Sequence, residues 1–521
     1  MSAQTLLFTS GSAWSVRDNA TAVLLAISIG FVAWGVSVST RRTSAFPFPP
    51  GPPGKFLIGN VLDFDVFRPW IAFTEWKAKY GDIVGVQVPG TKIIALNSQK
   101  VINDLFEKRG NIYSDRPFLP FAVEGCDMKR SPALMPYGPE WRACRKIQNV
   151  GLSPSAVKQY QGVQEDISAL MAKEFLEKPH DFFELSRLCA GRIVLAVTYG
   201  LSIKSIDNDH ILRAEDTMKY VTEAISPGAH LADLFPILMH LPSWLPFQKR
   251  MNMIKHKIYA LNSFPFNEAK SNLASGEARP SLTRDVFTNL SEENNNAEFE
   301  ERVEWSLGAL YAAGGETTFA LVLNFLLVMA LHPDKQTKAQ AELDAHIGNR
   351  LPVIADRGTM PYVEACIKET LRWNPIVPLG IPHCAAQDDV YEGYFIPKGT
   401  ILMPNTWPMA FAPNAKYPPR EFIPERFLDP EDTTIDPAFY TFGYGRRVCP
   451  GRYLAENSTF ILVATILSVF KVSPPPASEG PLVPEWAANT VSFLKPFKLT
   501  IEPRSADKVE MVYKKASKST I

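Results

Sequence analysis

The chain has 521 residues, 46% of them hydrophobic and 21% charged, a globular composition long enough for one large domain or several. Lys+Arg and Asp+Glu are both 54, so there is no basic excess and no nucleic-acid partner is expected. The six cysteines are scattered with no Cys-x-x-Cys pair, which argues against zinc ribbons, thioredoxin chemistry and a disulfide framework.

Ala20–Val38 is nineteen residues without a charge and is long enough to cross a bilayer. Arg41 and Arg42 follow closely and place the C-terminal side in the cytoplasm. A cleaved signal peptide would want a small-residue site before Arg41, and none stands out. A single-span anchor is therefore expected, with the glycosylation triplet Asn19-Ala20-Thr21 abutting it. Phe46–Gly54 reads as a stiff polyproline spacer that sets how the globular part leans on the membrane.

Trp70–Lys79 reads as a short helix, Ile83–Val88 and Lys92–Asn97 as strands, and Ser98–Arg109 as a helix closed by Gly110. On the next helical stretch Trp141 and Arg145 are four apart and share a face, which alone suits a cation–π or surface pair. From Ser155 to Glu277 helix follows helix, and the polar run Ser291–Asn296 reads as a surface turn.

Ala297–Leu331 is a long helix pattern ended by His332-Pro333. Its middle carries Ala312-Ala313-Gly314-Gly315-Glu316-Thr317-Thr318, where each interior glycine costs about 1 kcal/mol against alanine. Two readings fit: a local opening of the hydrogen-bond ladder with Thr317 bonding inside it, or a packing point where another helix comes close. Pro361-Tyr362 opens a helix carrying Glu369 and Arg372, three apart and able to pair. Asp389–Pro404 and Ser492–Ile501 read as strands, and the residues after Arg504 as a loose polar tail.

Phe442-Gly443-Tyr444-Gly445-Arg446-Arg447-Val448-Cys449-Pro450-Gly451 precedes the apolar helix pattern Tyr453–Phe470. A cysteine at a helix N-terminus beside two arginines should ionise easily, and a thiolate is what a soft metal ion asks of a protein. A lone cysteine here would more often be a buried structural one; the full spacing Phe-x-x-Gly-x-Arg-x-Cys-x-Gly points to a ligand.

That stretch resembles the cysteine-ligand loop of the cytochrome P450 superfamily, whose thiolate is the axial ligand of heme iron. The resemblance implies that Cys449 is the proximal ligand, that Phe442 packs beside it, and that Arg447, Trp141, Arg145 and His383 meet heme propionates. Ala312–Thr318 is similar to the family's distal helix, which implies that Gly314 leaves room at the heme face and that Glu316 and Thr317 relay protons to oxygen. Glu369, Arg372 and Arg426, the last in Pro424-Glu425-Arg426-Phe427, resemble the family's buried structural network. These motifs appear in the family's order over nearly the whole chain after the anchor. Tyr113-Ser114-Asp115-Arg116-Pro117 and the cysteine loop look most like fungal secondary-metabolism members.

The expected organisation is a tail and transmembrane anchor over 1–43, a proline-rich hinge over 44–54, a heme-binding domain over 55–504 and a polar tail over 505–521. The expected fold is mainly α with a smaller β-rich part, the heme lying between the long distal helix and the cysteine loop. The resemblance implies a monooxygenase holding heme b and inserting one atom of O2 into a lipophilic small molecule. Its electrons would come from NADPH through cytochrome P450 reductase, and it would sit as a single-pass protein in the endoplasmic reticulum membrane, in contact with lipid. A heme-thiolate isomerase or dehydratase would need no reductase, but such members tend to lack the Glu316-Thr317 pair. Apolar candidates for the substrate pocket are Phe118–Val123, Phe235–Trp244, Ala309–Ala313 and Ile376–Ile381.

Overall fold

The computed structural model describes residues 45–521, apart from 57, 66–67, 227–229, 295, 488–489 and 520. The expected anchor Ala20–Val38, with Asn19, Arg41 and Arg42, lies outside the described residues. Among the described residues one helix, Ala297–Leu331, is long and apolar enough to cross a membrane, and it is mostly buried inside the protein.

That helix is the axis of the molecule. Asn296 caps it by accepting the Phe299 N–H at 2.8 Å, and His332-Pro333 ends it. Its second half, Phe319–Ala330, is buried on every side, as expected of a helix enclosed by others. The helices Phe182–Tyr199, Pro246–Ala274 and Arg452–Val469 pack along it, and their apolar faces merge into the main core.

The β-rich part is one small sheet with two hairpin-like pairs. The strands are β1 (Ile83–Val88), β2 (Thr91–Leu96), β3 (His383–Cys384), β4 (Asp389–Tyr391), β5 (Tyr394–Ile396), β6 (Ile401–Pro404), β7 (Phe470–Ser473) and β8 (Thr500–Pro503). The sheet order is β1-β2-β6-β3. β2 runs parallel to β6, with Ile93 opposite Ile401, and β3 antiparallel to it, with His383 opposite Leu402. The mainly α architecture with a smaller β part is as expected.

Several local expectations change. Ser98–Arg109 is not one α-helix: four residues, Gln99–Ile102, pass into a π-helix over Asn103–Lys108, and Gly110 starts the short helix Gly110–Tyr113. The polar run after Ser291 is the end of the helix Leu282–Asn294. Of Ser492–Ile501 only the last residues are strand, paired through Thr500–Pro503 with β7. The expected loose tail 505–521 is a helix, Ala506–Ala516, capped by the Ser505 hydroxyl. It buries Val512 and Ala516 and pairs Lys515 with Asp166 at 2.6 Å. Nor is the proline-rich segment a free spacer. Pro47 and Pro50 carbonyls accept from Phe395 and Gly85 N–H groups, both at 2.8 Å, so the segment is tied to the sheet edge.

Candidate active site

The cysteine loop is closed on itself and pinned from below. The Cys449 N–H donates to the Phe442 carbonyl at 2.7 Å, and the Gly445 N–H donates to Glu107 Oε1 at 2.6 Å. Gly445 has φ +55°, and a Cβ there would stand 2.2 Å from the Phe106 carbonyl oxygen. Only glycine tolerates both conditions. The π-helix thus supplies the seat of the loop. Five cysteines are buried and Cys449 alone keeps partial exposure. Its thiol does not ionise as easily as its helix-terminal position suggests. Burial pushes it up, and the Gly451 N–H, Arg145 and Arg452 only partly oppose that. The thiolate is therefore the form that a bound metal, rather than the protein alone, would select.

Beside the loop, cations are crowded without carboxylate partners. Arg145 lies over the Trp141 ring at 5.9 Å and has no hydrogen bond or ion pair among the described residues. Burial lowers it, and Cys449 is the charge that raises it. Arg447 lies against the same ring, 4.8 Å from the Trp141 centroid. Its three bonds all go to carbonyls: Ser114 at 2.8 Å, Pro132 at 3.1 Å and Met135 at 2.8 Å. Burial lowers it to about 10. Phe442 is partly buried under Arg452, whose guanidinium is 5.6 Å from its ring.

His383 is buried against Phe106 in a parallel stack, with ring centroids 4.0 Å apart. Its Nδ1–H donates to the Tyr113 carbonyl at 2.6 Å. Burial, Arg116 and Arg447 hold its pKa well below the ordinary value, so the ring stays neutral and has no second N–H to offer. His383 thus spends its Nδ1–H on the Tyr113 backbone beside the π-helix. Arg116, in the Tyr113–Pro117 motif, anchors the backbone beside it. Its Nε bonds Ala133 O at 3.0 Å, and Nη1 bonds Ile381 O at 2.6 Å and Pro382 O at 2.7 Å. Asp115 lies near Arg116 and Arg447 but makes no salt bridge to either. A partly exposed cysteine, an unpaired arginine and further cations nearby form a donor set that fits a planar group with a soft metal and two carboxylates.

On the long helix the Gly314-Gly315 region is continuous α-helix, so the expected opening of the ladder is absent. Thr317 Oγ1 donates to the Ala313 carbonyl at 3.0 Å. A Cβ on Gly314 would come 2.9 Å from Val194 Cγ2, so this glycine allows the close approach of the helix Phe182–Tyr199. Glu316 lies on a small cavity with Arg187, Glu215 and Tyr311, and burial raises its pKa.

The family model described as cytochrome P450 matches residues 49–501. This chain belongs to the cytochrome P450 family. It is 36% identical to cytochrome P450 monooxygenase 208 of Postia placenta, over 94% of this chain and 96% of that one. It is 38% identical to cytochrome P450 monooxygenase claR of Ampulloclitocybe clavipes, over 91% and 89% of the two chains. A third relative, cytochrome P450 monooxygenase COX1 of Coprinopsis cinerea, is 35% identical over 89% and 93%. The protein is thus an oxidoreductase of the heme-thiolate monooxygenase class, which uses O2 and a redox partner.

The expected support network is present in this P450. Glu369, Arg372 and Arg426 are all buried, and Glu369 bonds both arginines. Tyr440, two residues before Phe442, is buried close enough to Arg372 and Glu369 to feel their charges. The main apolar pocket is walled by Trp70, Phe118, Leu119, Leu379, Ile381 and Met403, with Arg116 at its border. Two expected lining segments, around Phe118 and Ile381, meet there. Phe235–Trp244 does not line it, and of Ala309–Ala313 only Ala312 lines a cavity, the small one beside Glu316.

Proposed function

We propose that this P450 inserts one oxygen atom from O2 into a lipophilic small molecule of fungal secondary metabolism, a terpenoid or polyketide, using NADPH electrons delivered by a flavoprotein reductase. The observation that carries the site assignment is Cys449: the one partly exposed cysteine, held in a pinned loop beside an arginine without a partner. Cys449 would supply the thiolate that holds the heme iron. Arg145, Trp141, Arg447 and Arg116 would hold the carboxylates of heme b, with His383 keeping their wall in place. When bound, the heme supplies the iron chemistry that activates oxygen.

The chain's own part is to shape, dry and feed that centre with protons. Thr317 carries a hydroxyl that both donates and accepts, and Glu316 is an acid kept protonated to higher pH than usual. Together they form the relay. The apolar pocket excludes water and accepts the substrate. The charge-free run Ala20–Val38 supports a single-pass anchor in the endoplasmic reticulum membrane with the catalytic body in the cytoplasm. Exposed Ile237, Leu241 and Trp244 support a further contact with lipid.

The deciding experiment is reconstitution with a P450 reductase, NADPH and isotopically labelled O2. One labelled oxygen atom in the product, with NADPH consumed only when reductase is present, is expected. Turnover without reductase or NADPH would favour an isomerase or dehydratase instead.

A further inference from the structure

The main pocket has a floor from the sheet, with Ile93, Ile401 and Met403, and a roof from two other parts of the chain. One roof part is segment 118–126, which contains the π-helix Phe121–Gly125; the other is the one-turn helix Leu231–Leu234. They meet at Phe121. Asp233 Oδ1 accepts the Phe121 N–H at 3.1 Å, and the His230 ring lies flat on the Phe121 ring with centroids 3.6 Å apart. The backbone bonds that follow stay within their own turns, Phe235 N–H to Leu231 at 2.8 Å and Leu241 N–H to Leu238 at 3.2 Å. Gln248, on the helix Pro246–Ala274, holds the far end by donating to the Leu238 and Met239 carbonyls at 3.4 and 3.0 Å. The short helix is thus tethered at one end and caught at the other.

At the catch, Asp233 Oδ2 is sealed from solvent and has no hydrogen-bond partner. The charged groups around it are engaged elsewhere. Glu223 and Arg250 pair with each other at 2.5 Å, and Arg116 donates to the carbonyls of Ala133, Ile381 and Pro382. On the facing segment Glu124 is exposed, and beyond it Asp127 accepts from the Tyr259 hydroxyl at 2.8 Å. Burial keeps the Cys126 thiol neutral, pushed up to about 12, and lowers His230. Holding one N–H needs one oxygen, which an asparagine would offer without any charge. An acid makes the contact tolerable when neutral and costly when ionised, because its second oxygen then faces no donor. We propose that Asp233 is the proton-sensitive latch of a lid over the main pocket: with its proton it holds the helix Leu231–Leu234 against Phe121, and without it that helix is biased to lift. Burial places the latched carboxyl at about 6, against 3.8 in water. The shut state therefore binds the proton more tightly, so the latch is at full strength below 3.8 and weakens as pH rises to about 6. A charged His230 would act in the opposite sense, loosening its stack as pH falls. At neutral pH the lid is shut against a buried charge, which favours opening for substrate entry.

Hydrogen exchange of the Phe121 amide in the purified holoenzyme, divided by its intrinsic rate at each pH, reads the latch directly. Wild-type protection of Phe121 should fall about tenfold from about pH 5 to about pH 7. The Cys126 amide, bonded to the Phe121 carbonyl at 2.9 Å within the same segment, should keep its protection. Asp233→Asn leaves an oxygen for the Phe121 N–H and has no proton to lose, so its Phe121 protection should be constant over that range. Wild-type protection that is flat or rises with pH overturns the proposal, and a rise would assign the contact to His230. A variant that retains the fall overturns it too. So does a Cys126 amide that loses protection together with Phe121, since segment 118–126 would then be unfolding rather than parting from the lid.

Discussion

Arg372 grips Glu369 one helical turn away, donating from Nε at 2.6 Å and from Nη2 at 2.8 Å with both side chains out of water. Glu369 Oε1 also accepts from Arg426 Nε at 3.1 Å and from the Ile423 N–H at 2.7 Å. Arg372 directs its other donors to the carbonyls of Ala410, Pro419 and Glu421. Removing one partner leaves buried charge without compensation, which costs about 3–5 kcal/mol. Glu369→Ala should therefore lower the denaturant midpoint sharply and release heme before the fold is lost. A melt like wild type would mean that the network is dispensable.

Cys449→Ala should abolish the strongly red-shifted Soret band of the reduced carbon monoxide complex, together with most heme retention. An unchanged spectrum would send the ligand assignment to one of the five buried cysteines.

Thr317→Ser and Thr317→Val separate a relay from a packing role. Serine keeps the hydroxyl and valine keeps the shape. With the relay, Thr317→Ser retains most coupling of NADPH to product, while Thr317→Val diverts most of it to peroxide. General acid–base groups contribute about 10²–10⁴ in rate, so the loss should be plain. Equal product-to-NADPH ratios would dispose of the relay at this residue.

Burial raises the Asp233 carboxyl from 3.8 to about 6. The folded chain thus binds this proton more tightly than the unfolded chain. The stability it contributes is present below pH 3.8 and is lost as pH rises to about 6. Asp233→Asn has no such dependence. In denaturant melts the stability difference, variant minus wild type, should grow across that window and level off above it; a flat difference would contradict the burial.

Deleting Met1–Arg42 should move much of the protein from the membrane to the soluble fraction with its heme spectrum intact. The cut leaves the Pro47–Phe395 and Pro50–Gly85 bonds in place. Loss of heme binding would mean that Ala20–Val38 belongs to the core.

What could be read from the chain was local. The long helix announces itself by a capping asparagine at 296 and His332-Pro333 at its end, and Ile83–Val88 by its apolar run. The cysteine loop is legible because its glycine, arginine and cysteine spacing is contiguous. The terminal helix Ala506–Ala516 carries a faint signal, Ser505 at the cap with Val509 and Val512 three apart and Ala516 a turn further on, inside a segment polar enough to read as a tail. The role of Arg116 was not legible, since the carbonyls it binds lie 265 and 266 positions away. Nor was the π-helix, whose extra residue is stabilised by what it touches rather than by its composition.

The contact of Glu107 with Gly445 joins residues 338 positions apart in the chain. At about 5–20 residues per second, the seat leaves the ribosome roughly twenty seconds to a minute before the loop that will rest on it. Phe106, Trp141 and the helices around them must wait in that interval as an open half-cavity. The last part of the protein to be synthesised closes it, so cofactor capture is a late event in biogenesis. A chain stalled before Cys449 would present an apolar hollow to chaperones instead of an enzyme.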